Sequence, residues 1–94
     1  MRIVIDWKQL STKSEFYTMF LEQVDAPNWH GRNLDALYDG LLDERLIKLT
    51  LPVCFVNKNS SSVKLELECF QQSVFELVDE VASQRKGISL LIEA

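Results

Sequence analysis

Asn28-Trp29-His30-Gly31-Arg32-Asn33-Leu34-Asp35-Ala36-Leu37-Tyr38-Asp39 reads as a loop that turns into a helix. Pro27 stops whatever precedes it, because proline biases the residue before it away from helical geometry and has no N–H to donate. Gly31 lets the backbone turn sharply or come close to another molecule. Asn33 suits the N-cap, its side-chain oxygen accepting from an orphan amide, and Asp35 falls in the first turn, where the helix dipole favours negative charge. On a helical wheel Leu34, Leu37, Tyr38, Leu41 and Leu42 share one side, while Asp35, Asp39 and Asp43 form a neighbouring acidic strip. The apolar side belongs to the core. Like charges four residues apart weaken an isolated helix, so the strip does not serve helix stability. With Trp29 in the loop beside it, the strip reads as a recognition surface. A solvated acidic face with Trp29 folded back onto the core accounts for the same residues equally well.

Working outward, Ile3, Ile5 and Trp7 alternate with Val4 and Asp6, which predicts a first strand of about Arg2 to Trp7. Thr12-Lys13-Ser14-Glu15 fits a capping box and opens a helix with Phe16, Met19, Phe20 and Val24 on one face, running to the stop at Pro27. On the other side, Asp43-Glu44-Arg45 is a polar interruption, and Leu46 to Thr50 fits helix or strand. Leu51 to Val56 is a continuous apolar run, the pattern of a strand buried on both faces, with Pro52 tolerable only near its start. Asn57 to Ser62 reads as a polar loop. Val63 to Leu67 alternates like a strand, yet Leu67, Phe70, Val74, Leu77, Val78 and Val81 share a helical face, predicting a helix from about Glu66 to Lys86. Arg85 and Lys86 suit its negative end and Gly87 the residue past it. Ile88 to Glu93 is the final strand. The order β-α-α-β-α-β over residues 1–94 predicts one α/β domain, a three-stranded parallel sheet packed with helices.

A chain of 94 residues with 47% apolar and 26% charged side chains supports one modest core. No apolar run approaches a membrane span, and the start lacks a secretory signal, so a cytoplasmic protein without membrane contact is expected. Cys54 and Cys69 sit in apolar patterns without ligand spacing and are expected to be buried free thiols. A net charge of −4 and a pI near 4.9 disfavour nucleic acid and favour a basic partner. His30 is the only histidine, which leaves no His pair for acid/base chemistry or a His-rich metal site. No phosphate-cradling loop or nucleophile elbow occurs, so neither an enzyme nor a cofactor is expected.

The run from Trp29 to Asp39 resembles the barstar family, small intracellular inhibitors of secreted bacterial ribonucleases. Its motif runs aromatic, any, Gly, any, Asn, Leu or Trp, Asp, Ala, Leu or Phe, aromatic, Asp, and every constrained position agrees. The barstar-like fold has the element order read above. The resemblance implies that Asp39 is the principal phosphate mimic, paired with arginines of a cationic active site, and that Asp35 contacts an arginine or loop beside it. It sets Trp29 where the family usually has a tyrosine packed over the enzyme's catalytic histidine, with Gly31, Asn33, Leu34 and Tyr38 bordering the contact. Glu80 aligns with an acidic residue that reaches an outlying basic side chain, although Glu76 or Asp79 could serve instead. Departures are Arg32 at a position often acidic, His30 replacing an aromatic, the hydroxyl lost at Trp29, and a longer segment from Asp43 to Thr50. The implied function is one-to-one inhibition of a basic bacterial ribonuclease or toxin domain, as an inhibitor or immunity protein. A non-inhibitory module that holds a basic protein, and a small hydrolase working through His30, Asp35 and Asp39, are the alternatives.

Overall fold

The computed structural model describes residues 1–26 and 31–94. Its sheet is built from β1 (Arg2–Asp6), β2 (Val53–Lys58) and β3 (Ile88–Ile92), all parallel, in the order β1-β2-β3. The central place falls to β2, as its unbroken apolar run predicts, with Val4 opposite Val56 and Val56 opposite Leu91. Alternate residues Ile3, Ile5, Val53, Phe55 and Ile88 face the helices and are almost fully buried in one core. The helices are α1 (Lys13–Gln23), α2 (Leu34–Leu42) and α3 (Glu68–Gln84), which completes the predicted β-α-α-β-α-β order.

Local signals set the helix starts. Thr12 Oγ1 accepts from Glu15 N, and Glu15 Oε1 accepts from the N–H groups of Ser11 and Thr12, closing the capping box. These bonds hold the Glu15 carboxyl below its usual titration range. The helix delivers Phe16, Phe20 and Val24 to the core, with Met19 packed against it, and Tyr17 is buried as well. It ends at Gln23, ahead of Pro27, with Asp25 in left-handed geometry at φ 50°. The long helix is shorter at both ends than its face suggests, because Leu65–Leu67 forms a separate 3-10 turn and Arg85 is already extended. Arg85 serves another helix instead: its Nη1 donates to Leu41 O at 2.7 Å, putting a cation at the negative end of α2.

The strand limits shift by one or two residues, β2 starting at Val53 rather than Leu51 and β3 ending at Ile92 rather than Glu93, and two of the shifts follow from tertiary contact. Trp7 leaves β1 and opens a 3-10 turn over Trp7–Gln9, fully buried. Asn57 and Lys58, expected in the polar loop, finish β2, and Asn57 is buried because its Oδ1 accepts from Trp7 Nε1 at 2.9 Å. The loop itself contracts into the 3-10 turn Ser60–Ser62. Residues 46–50 are neither helix nor strand, yet they bury Ile47. Both cysteines are free, but Cys69 is exposed and Cys54 half-buried. At Cys69 the cause is simple: its neighbour Phe70 takes the inward face of α3, which turns Cys69 outward. Among the described residues no helix is long and apolar enough to cross a membrane.

Candidate functional site

Asn33 caps α2 as its position predicts, with backbone φ −153°, ψ 168° and Oδ1 accepting from Ala36 N at 2.8 Å. Gly31 leaves space for that turn. A Cβ added there would lie 3.0 Å from Ala36 Cβ and 3.2 Å from Asn33 Nδ2, so a side chain at residue 31 would disturb the cap. Arg32 ties the loop to α1, its Nη2 donating to Ser14 O at 2.5 Å, Ser14 Oγ at 3.2 Å and Thr18 Oγ1 at 2.6 Å. These acceptors are all neutral. Asn33→Ala should cost about 1 kcal/mol of stability through the lost cap, read as a lower urea midpoint with unchanged slope.

Leu37 and Leu41 anchor α2 in the core, with Leu34, Tyr38 and Leu42 packed around them. That leaves Asp35 and Asp39 on the exposed side, one turn apart, their carboxylates with no hydrogen bond or ion pair among the described residues. Asp43, third in the acidic strip, behaves differently. Arg45 grips it through Nε at 2.9 and 3.2 Å and Nη2 at 2.7 Å, and these bonds lower its carboxyl to about 2. Its charge is spent within the chain. The available acidic surface on α2 is therefore Asp35 and Asp39.

A third carboxylate joins them from α3. Gln84 Nε2 donates both to Tyr38 Oη at 2.7 Å and to Glu80 Oε1 at 2.8 Å, so one amide ties the aromatic of α2 to Glu80. Glu76 is engaged elsewhere, accepting from Gln72 Nε2 at 3.1 Å. Gln84 is the residue that pattern reading misses. Its signals are the i, i+4 spacing from Glu80 and a position facing the half-buried Tyr38, and the second needs the packing of α2 on α3 to be known. Beside Asp35 a surface cavity of about 500 Å³ opens between α1 and the start of α2, with Lys13 and Arg32 on its walls and Tyr17, Leu34 and Phe70 in its lining. Trp29 and His30 lie outside the described residues. Among the described residues no cluster of three His, Cys, Asp or Glu side chains is placed to hold a metal.

An exposed carboxylate pair on a capped helix, a bordering tyrosine and a third carboxylate held from the last helix make up the candidate surface. Comparison with known proteins gives it a lineage, because the family model described as Barstar (barnase inhibitor) matches residues 1–93. The chain belongs to the barstar family. It is 28% identical over 93 residues to "Putative ribonuclease inhibitor YrdF" of Bacillus subtilis (strain 168), and the match spans 98% of each chain. In both comparisons the likeness runs from β1 through β3, so it covers the barstar elements that carry and support the acidic face.

Proposed function

We propose that this chain inhibits a basic bacterial ribonuclease or ribonuclease-like toxin by filling its active site with the acidic face of α2 and the preceding loop. The observation that carries the reading is that the Asp35 and Asp39 carboxylates are exposed and bonded to nothing among the described residues, with a third carboxylate, Glu80, tied through Gln84 to Tyr38. Carboxylates spent on internal ion pairs, like Asp43, could not serve. In this reading Asp39 takes the place of a substrate phosphate against clustered arginines, and Asp35 meets an adjacent cation. Tyr38 accepts from Gln84, which leaves its own O–H free to donate across the contact. Gly31, Asn33 and Leu34 shape the rim, and Trp29 supplies an aromatic contact over the enzyme's catalytic residues. Family membership and the relative's description as a ribonuclease inhibitor support the same direction.

The test is a titration of purified basic bacterial ribonucleases and toxin nuclease domains with this chain, following RNA cleavage. One of them should lose activity at one equivalent. Its association rate should fall steeply as salt rises, because like-signed carboxylates on one face steer a cationic partner over distances that salt screens. Tight binding that leaves cleavage intact would replace inhibition with the alternative of a non-inhibitory module.

A further inference from the structure

The two edges of the sheet are finished differently. Along the outer edge of β1, Gln23 of α1 lays its amide like a short strand: Val4 N donates to Gln23 Oε1 at 2.8 Å, and Gln23 Nε2 donates to Val4 O at 2.8 Å. Another strand could pair there only by displacing it. At β3 nothing corresponds among the described residues. Val53 N donates to Gly87 O, Glu93 N donates to Asn57 O, and Asn57 Nδ2 reaches Leu91 O, so the odd-numbered residues turn their backbone groups toward β2. Alternation then points the N–H and C=O groups of Ile88, Leu90 and Ile92 outward, and among the described residues nothing bonds them.

Edge strands left open in this way normally carry a charge, a proline or a bulge that discourages pairing. The stretch Ile88-Ser89-Leu90-Leu91-Ile92 has none of these. Leu91 and Ile92 remain 46% and 49% exposed, one on each face of the sheet, and Leu51, 41% exposed, lies beside Gly87 at the start of the strand. Free charges of opposite sign bracket the strand, Lys86 before it and Glu93 after it, and neither side chain has a partner among the described residues.

We propose that β3 pairs antiparallel with β3 of a second copy of this chain, about a twofold axis at Leu90, making one continuous six-stranded sheet. That register sets Leu90 against Leu90 and Ile88 against Ile92 of the other copy, so every outward backbone group finds a partner, about six hydrogen bonds in all. It also sets Lys86 of each copy opposite Ala94 of the other, one residue past Glu93, so the cationic end of each strand meets the anionic end of its mate. Parallel pairing of the same strands would set like charge against like, and growth from the other edge is blocked by Gln23. The contact uses one patch twice and closes on itself, as a twofold interface must. None of Asp35, Asp39 or Glu80 belongs to it, so it stands or falls apart from the inhibitor reading.

Sedimentation velocity of the intact chain from micromolar to millimolar concentration should show a monomer–dimer equilibrium. Ile92→Lys should abolish the dimer while leaving the circular dichroism and melting curve unchanged. Lys86→Glu and Glu93→Lys should each weaken it by roughly fivefold, because each reversal creates two like-charge contacts across the axis, and the double swap should restore it. Amide exchange at Ile88, Leu90 and Ile92 should slow as concentration rises. A chain that is monomeric throughout overturns the proposal. So does a dimer indifferent to Ile92→Lys and to the charge swap, or a monomer whose β3 amides are protected only by an added foreign extended peptide.

Discussion

Asp39→Ala is expected to weaken binding to an inhibited ribonuclease by about 2–5 kcal/mol or more while leaving the fold intact, the range seen when one member of a desolvated interfacial charge pair is truncated, barnase–barstar being among the examples. The asymmetry follows from where the residue sits. Within the chain Asp39 is exposed in the body of α2 and its carboxylate bonds nothing among the described residues, so its removal leaves no donor orphaned and opens no cavity. Like-charge repulsion from Asp35, one turn away, would even relax slightly. Its stability should stay within about 0.5 kcal/mol of the parent. In the complex the same change would strand the enzyme's arginines, desolvated and without the anion they are built to hold. Calorimetry against the nuclease identified by the cleavage screen, paired with a thermal melt, separates the two effects. Asp39→Asn keeps the shape and removes the charge, so it should lose nearly as much. A variant that binds like the parent would end the phosphate-mimicry assignment.

Much of this surface is legible in the sequence because its causes are local. The N-cap at Asn33 needs only its own residue and the amide three positions on, and the apolar side of α2 follows from helical spacing alone. The capping box at Thr12 and Glu15 is equally local. Most of what the sequence hides is set by partners far along the chain, and at Asp43 by a cation just past the helix end. Asp43 looks like a third member of the acidic strip until Arg45 curls back beyond the helix end to neutralise it. Glu80 is one of several acids on α3 until Gln84 ties it to Tyr38, across 46 positions. Arg85 matches the end of its own helix but caps α2 instead. Asn57 has the composition of a turn and the environment of a core, since its burial depends on an indole 50 positions away.

That indole supports the second large expectation. Trp7→Ala should cost about 3–5 kcal/mol, a large part of the 5–15 kcal/mol that holds a small domain together, and the variant should be substantially unfolded at moderate temperature. Trp7 is fully buried where β1 ends, stacked on Phe16 at 5.6 Å between centroids and met edge-on by Phe70 at 6.4 Å and Phe75 at 6.1 Å. It thereby joins the sheet to α1 and α3, and α3 carries Glu80. Truncation would empty the centre of this cluster and leave the amide of Asn57, 2% exposed, without its donor. The two contributions can be separated. Asn57→Leu keeps the ring but orphans a buried N–H, which should cost about 1–3 kcal/mol. Trp7→Phe combined with Asn57→Leu removes both ends of the bond and should cost clearly less than the two single changes added together, as coupled partners do. Chemical denaturation of the four proteins measures that difference. Strict additivity would mean that packing alone accounts for Trp7 and that the bond across the sheet contributes nothing.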